Sequence, residues 1–380
     1  MLTERGAQMS KKAVVAGHIC IDITPGIPEQ SAERIQDILS PGKLINVGGA
    51  DIHTGGAVAN TGLAMKILGA DVTLIGKTGD DAFGDMIFTI VEKYGASKGL
   101  IRSHGDSTSY SIVLAIPGID RIFLHDPGAN DTFCSDDLPM DAISGSALFH
   151  FGYPPIMKRI FENDGEELVT IMKKVREVGA ATSLDMCAVD PDTEAGRANW
   201  EKILANTLPY VDIFVPSIEE LIFMLDREKY DRLRRANPDS DLTGIIDLKE
   251  DIEPLGRKCL DMGAKIVLIK CGAPGMYYCT GNSEMIGSIS KKLELDPDVW
   301  ADKRGFEKSF KPEKVVSGTG AGDTSVAAFL ASVLNNKTPQ ECVRYAAATG
   351  ACCVEAVDAL GGLKSFEELD AKMSKGWERN

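Results

Sequence analysis

The chain is predicted to fold as an α/β protein around a mainly parallel sheet, with a small β-layer beside it. Three observations carry that prediction. Short apolar, β-rich runs alternate with longer segments of helical period, the pattern of strands joined by crossover helices. Two apolar runs around a Pro-Gly turn break the rhythm and read as a hairpin. Hydrophobic residues make up 44% and charged residues 26% of 380, which is enough for a sizeable core in one large or two modest domains.

In chain order, the first strand is placed at 13–20. A glycine pair, Gly55-Gly56, precedes a helix of small and aliphatic residues at 57–68, closed by Gly69. A strand at 72–75 leads to a helix at 81–94 with an acidic start and a glycine stop. Segments 109–115 and 121–125 form the hairpin, and with 43–52 they make a small β-layer that projects from the main sheet. Strands follow at 147–151, 182–184, 213–215 and 266–269, separated by helical stretches at 166–178, 195–208 and 248–262. The charged, poorly periodic stretches 226–251 and 282–311 read as insertions on this body. A last strand at 315–316 runs into a glycine-rich turn and an apolar helix at 325–334.

Composition excludes several partners. Lys and Arg number 41 against 56 Asp and Glu, and the net charge of −15 argues against nucleic acid or an anionic membrane. Nine cysteines without a C-x-x-C pair point to reduced thiols in a reducing compartment, with no structural zinc. The opening residues lack the apolar core of a signal peptide, and no apolar run reaches the roughly 18 residues of a membrane span. A soluble, cytoplasmic protein is expected.

The most informative run is Ser317-Gly318-Thr319-Gly320-Ala321-Gly322-Asp323-Thr324. A glycine-rich turn that opens a helix presents unpartnered N–H groups at the positive end of the helix dipole, which makes an anion site suited to phosphate. For capping alone, Ser or Asn would serve at 323 without repelling that anion. A carboxylate there suits a general base that takes the proton of an attacking hydroxyl, while the loop amides stabilise the transferring phosphoryl group. Two competing motifs fail. The glycines are spaced G-x-G-x-G rather than G-x-G-x-x-G, and Gly76-Lys77-Thr78 lacks the first glycine of a Walker loop, with Asp71 in its place. All five histidines lie in the first 150 residues, so a Ser-His-Asp centre at this loop would need a distant partner.

In the N-terminal half, Asp22, Gly55, Gly56 and Asn60 offer carboxylate, amide and bared backbone groups that suit a polyol. Taken singly, each also reads as a cap or turn residue. Their order resembles the ribokinase-like (PfkB) carbohydrate kinase family. Gly55-Gly56-x-x-x-Asn60 with Gly76-x-x-Gly79-x-Asp81-x-x-Gly84 is similar to that family's first signature, and Thr319-Gly320-Ala321-Gly322-Asp323 to its second. Pro127-Gly128-Ala129-Asn130, Glu220 of Pro216-Ser217-Ile218-Glu219-Glu220, and the run from Ile266 to Gly275 match further family segments.

The resemblance implies a three-layer core with a β-lid, spanning 11–375 with the lid from about 17–53 and 105–130. It implies ATP and Mg²⁺ as cofactors and phosphoryl transfer to a sugar or nucleoside hydroxyl. By position, Asp323 would be the catalytic base and Gly320, Ala321 and Gly322 the anion hole. Asp22, Gly55, Gly56 and Asn60 would hold the acceptor, Lys270, Gly272 and Gly275 would lie against the nucleotide, and Glu220 would orient the metal through water. Ser317-Gly318 stands where the family signature opens with Asp-Thr, so activation by a monovalent cation is not implied. Ser217 replaces the family's usual asparagine. Ala57 stands where ribose kinases and phosphosugar kinases often carry lysine, which favours a small unphosphorylated sugar or sugar acid, with a nucleoside second. The rival readings are a catalytically silent sensor of sugar or nucleotide and a nucleotide-dependent dehydrogenase. The hairpin's edge strands would also pair two copies as a homodimer.

Overall fold

The computed structural model describes residues 11–27, 41–116, 122–237 and 242–380. Its main sheet has eight strands, ordered Arg304–Lys308, Gly275–Thr280, Ile266–Lys270, Ile213–Phe214, Ala181–Asp185, Leu148–Gly152, Lys12–Gly17 and Asp71–Ile75. Neighbours from Ile266–Lys270 to Asp71–Ile75 run parallel, and the two at the other edge are antiparallel. Both faces are covered, because alternate side chains of each strand enter different cores. Val14, Ala16, Phe149, Phe151, Leu184 and Val267 pack with the helices Lys158–Glu177, Trp200–Thr207, Ile218–Leu225 and Glu253–Asp261. Ala13, Val15, Leu148, Ala181 and Leu268 pack with Ala57–Ile67, Ala82–Glu92, Ala321–Leu334 and Pro339–Cys353.

A separate four-stranded layer, ordered Ala50–Gly55, Cys20–Pro25, Tyr110–Leu114 and Ile122–Asp126, lies where the lid is expected. Here the expected first strand is corrected. The segment 13–20 is two strands, split after Gly17. Gly17 has φ of +124°, and a Cβ there would lie 2.3 Å from the Gly152 carbonyl oxygen. That close approach turns the chain out of the main sheet, so Cys20–Pro25 continues in the lid. The hairpin strands pair antiparallel, while their Pro-Gly turn lies outside the described residues.

Other boundaries also move. The 195–208 stretch is two helices, Glu194–Arg197 and Trp200–Thr207, interrupted by extended Ala198 and capped anew by Asn199. Residues 315–316 form no strand, and the exposed Val315 and Val316 approach the phosphate loop as an extended segment. It is tied to the main body by the Val316 N–H donating to the Val354 carbonyl at 2.7 Å. The stretch 282–311 carries two short α-helices, a 3₁₀ turn between them and the edge strand Arg304–Lys308. All nine cysteines are unpaired, and eight of them are buried. No helix among the described residues is long and apolar enough to cross a membrane.

Candidate active site

The glycine-rich loop ends at Gly320, whose left-handed conformation (φ 75°) starts the helix Ala321–Leu334 with no side-chain cap. The helix start therefore has no side-chain cap and borders a cleft of about 520 Å³, with the Ala321 N–H donating to the Gly318 carbonyl at 3.3 Å. Gly318, Gly320, Ala321, Gly322 and Asp323 form one side of that cleft, and Asp185, Ser217, Glu220, Lys270 and Gly272 line it further round. Lys270 reaches the loop: a Cβ on Gly322 would lie 3.9 Å from its Nζ. The cleft thus offers an anion an uncapped helix N-terminus and one buried ammonium.

Asp323 is buried in the first turn of its helix. Asn60, near the start of Ala57–Ile67, donates through Nδ2 to Asp323 Oδ2 at 3.0 Å. Tyr153 donates from its hydroxyl, which lies 2.7 and 2.8 Å from the two carboxylate oxygens. Burial raises the Asp323 pKa above the usual carboxylate range, while Tyr153, Asn60 and the Lys270 charge pull against it.

Asn60 also lines a second cavity of about 170 Å³ beneath the lid, with Asp22, Thr24, Asp51, His53, Ser317 and Asp358 among its walls. The Asp323–Asn60 contact therefore sits where the cleft and the lid cavity meet. Asp22 extends from Cys20–Pro25 into space left by Gly55, where a Cβ would lie 2.2 Å from Asp22 Oδ2. Burial raises the Asp22 carboxyl, opposed by hydrogen bonds from Cys20 and Ser111.

The remaining sequence candidates are distributed differently. Gly55 and Gly56 do not line either cavity. Gly55 makes room for Asp22, and Gly56 (φ 84°) caps Ala57–Ile67 where a Cβ would strike His18. Gly275 (φ 136°) opens the strand Gly275–Thr280 and packs on Glu307, outside the cleft lining. Glu220 lines the cleft but already accepts from the Ser217 N–H at 2.6 Å in a capping box, which Ser217 completes as well as the asparagine it replaces.

Two residues matter more than sequence reasoning assigned. Asp185, at the C-terminal end of its strand and equally readable as a turn residue, holds Lys270 Nζ at 2.5 Å. Its Oδ2 is buried without a hydrogen-bond partner. Burial raises the Asp185 pKa against the pull of Lys270, and Lys270 sits above its ordinary value because Asp185, Glu220 and Asp323 outweigh its own burial. Tyr153 follows the Leu148–Gly152 strand, and no motif marks it. The position after a parallel strand's C-terminal end, where α/β proteins bind ligands, was its only signal.

The carboxylates of Asp185 and Glu220 are hard oxygen donors beside an anion site, with one orphaned oxygen, and so fit Mg²⁺ carried in on phosphates. Among the described residues no group of three or more His, Cys, Asp or Glu is poised to hold a metal without such a ligand.

Residues 10–364 match the profile of the pfkB family carbohydrate kinase. An uncharacterized sugar kinase of Archaeoglobus fulgidus is 28% identical over 299 residues, covering 78% of this chain and 96% of that protein. Probable fructokinase-4 of Arabidopsis thaliana is 25% identical, covering 93% and 94%. Among solved structures, Arabidopsis thaliana ribokinase complexed with ribose and ATP superposes with a TM-score of 0.67 at 20% identity, covering 96% of this chain and 98% of that one. A putative ribokinase II from E. coli in complex with ATP and Mg²⁺ gives 0.68 at 19%, covering 96% and 99%.

Proposed function

The chain belongs to the pfkB family of carbohydrate kinases and is a carbohydrate kinase, and on that premise we propose that it transfers the γ-phosphate of ATP to a hydroxyl of a small, neutral, unphosphorylated sugar. The observation that carries this reading is the place of Asp323. Asn60 holds it from the lid cavity, and the uncapped helix start flanks it on the cleft side. ATP occupies the cleft, with its γ-phosphate against Gly320, Ala321, Gly322 and Lys270, and the sugar lies under the lid on Asp22 and Asn60. Two proteins of the same fold solved with ATP, one also with ribose and the other with Mg²⁺, support ATP and a sugar as the ligands of this site.

In the reaction Asp323 accepts the proton of the attacking hydroxyl, whose oxygen adds in line to the γ-phosphorus as ADP leaves. The loop amides and Lys270 stabilise charge on the transferring group. Asp185 and Glu220 would hold Mg²⁺ brought in on the phosphates, and the ion would supply charge neutralisation there. The lid excludes water from the acceptor.

The preference for a neutral sugar over a sugar acid follows from the lid cavity. Asp22, Asp51 and Asp358 line it against the single imidazole of His53, and no Lys or Arg stands among its described lining residues, so a carboxylate substrate would meet an excess of like charge. We extend the proposal to a homodimer through the lid, whose edge strand Ile122–Asp126 carries exposed Phe123 and Leu124. The test of function is ATP-dependent product formation across hexoses, pentoses, sugar acids and nucleosides, identified by mass. Phosphorylation of a neutral sugar is expected. Transfer only to sugar acids or only to nucleosides would refute the acceptor assignment.

A further inference from the structure

Within the kinase reading, on which this inference rests, the Tyr153 contact has no assigned part. One phenol oxygen lies 2.7 and 2.8 Å from the two oxygens of Asp323. Near-equal distances place it in front of the carboxylate, where an attacking hydroxyl would give up its proton. Tyr153 and Asp323 both line the nucleotide cleft, whereas Asn60 approaches the carboxylate from the lid cavity. The phenol therefore stands on the side of the base that faces the γ-phosphate.

We propose that Tyr153 guards the general base: in the sugar-free enzyme its hydroxyl occupies the acceptor's position on Asp323 and keeps water from it, and the sugar hydroxyl displaces it.

The backbone is built for this placement. Tyr153 has a left-handed conformation (φ 70°) that side chains rarely adopt. It is held by its N–H donating to the Asp185 carbonyl at 3.3 Å and by Pro154-Pro155 immediately after it. The phenol blocks without competing as a base. Burial and the Asp323 charge push its pKa well above the ordinary value, so it stays protonated and acts as a donor to the carboxylate.

A guard answers a chemical need. The loop amides and Lys270 polarise a bound γ-phosphate whether or not an acceptor is present, and water is a competing nucleophile. In productive transfer the acceptor O–H bond breaks and its proton passes to Asp323. A new O–P bond forms, and the bond from γ-phosphorus to the bridging oxygen breaks, releasing ADP. With water as nucleophile the same bonds change, and the products are ADP and inorganic phosphate.

The experiment compares wild type with Tyr153→Phe, measuring inorganic phosphate and ADP released from Mg-ATP without acceptor, and sugar phosphate formed with the best sugar of the panel. The variant keeps the ring and opens a space of one hydroxyl. Acceptor-free hydrolysis is expected to rise at least about tenfold, a fraction of the roughly 10²–10⁴-fold that a positioned base contributes. The ratio of phosphate to sugar phosphate should rise with it, and adding Asp323→Asn should return hydrolysis to background. A ring that served packing alone would leave that ratio unchanged. Tyr153→Leu opens the same position, so it must give the same result if the Phe variant fails to fold. If wild type phosphorylates sugar while folded variants hydrolyse ATP no faster than wild type, the guard is overturned and the kinase reading stands. If wild type phosphorylates nothing in the panel, both fall.

Discussion

Replacing Lys270 with Met removes the cation of a fully buried pair and leaves the Asp185 carboxylate facing it with none. Asp185 is wholly buried and Lys270 9% exposed, so solvent screens the change little. Stripping one partner from such a pair costs about 3 kcal/mol or more when the remaining group stays charged. Asp185 has an escape, because burial already raises its pKa and loss of Lys270 removes the main opposing influence. A carboxyl whose folded pKa is raised is stabilising while protonated, and that contribution is lost as pH climbs through the folded value, at about 1.4 kcal/mol per pH unit. Wild type stops losing stability at its own folded pKa, while the variant continues past it. Urea unfolding followed by fluorescence of the three tryptophans should therefore show Lys270→Met less stable than wild type by about 3 kcal/mol at pH 8.5. At pH 5.5 the loss should shrink below about 1 kcal/mol, since the protonated acid needs no cation. A loss that is equal at both pH values, or larger at pH 5.5, would refute the buried-pair account.

Other outcomes follow from the same geometry. Gly55→Ala places a Cβ 2.2 Å from Asp22 Oδ2, so Asp22 must move. Steady-state kinetics should show KM for the sugar rising about tenfold, the equivalent of one good contact, while calorimetric ATP affinity holds. Gly320→Ala strains a left-handed position and brings a Cβ 2.2 Å from that of Ala359. It should lower ATP affinity and turnover together, with a stability loss of about 1–2 kcal/mol in denaturant titration. Because the Asp323 pKa is raised and the base acts ionised, kcat/KM should fall as pH drops, with the limb above the ordinary carboxylate value of about 4. A limb at or below that value would contradict its buried placement.

Local chemistry made much of this protein legible. Gly320 could be read as a helix start because glycine tolerates the left-handed turn at least cost, and Asp323 stands out because a carboxylate is anomalous at an anion site. Apolar runs such as Ile266–Lys270 announced buried parallel strands by composition. What escaped depends on distant partners. Gly17 ends the first strand because Gly152, far along the chain, lies against it. Arg304–Lys308 is too polar to resemble a strand and gains its place only by pairing with Gly275–Thr280 at the sheet edge. The Lys270–Asp185 pair spans 85 residues and the Tyr153–Asp323 contact 170, and no spacing rule links either. The packing at Gly55 and Gly275 was equally hidden: in the fold each is a place where a neighbour needs room.

The central claim is that Asp323 is the base of a phosphoryl transfer whose nucleotide site is built separately around it. Asp323→Asn, compared with wild type for sugar-phosphate formation and for ATP affinity by calorimetry, tests it most directly. The account predicts a fall in transfer of about 10²–10⁴-fold, with ATP affinity nearly unchanged. A variant that keeps turnover within about tenfold of wild type, or that loses ATP binding in step with activity, would contradict it.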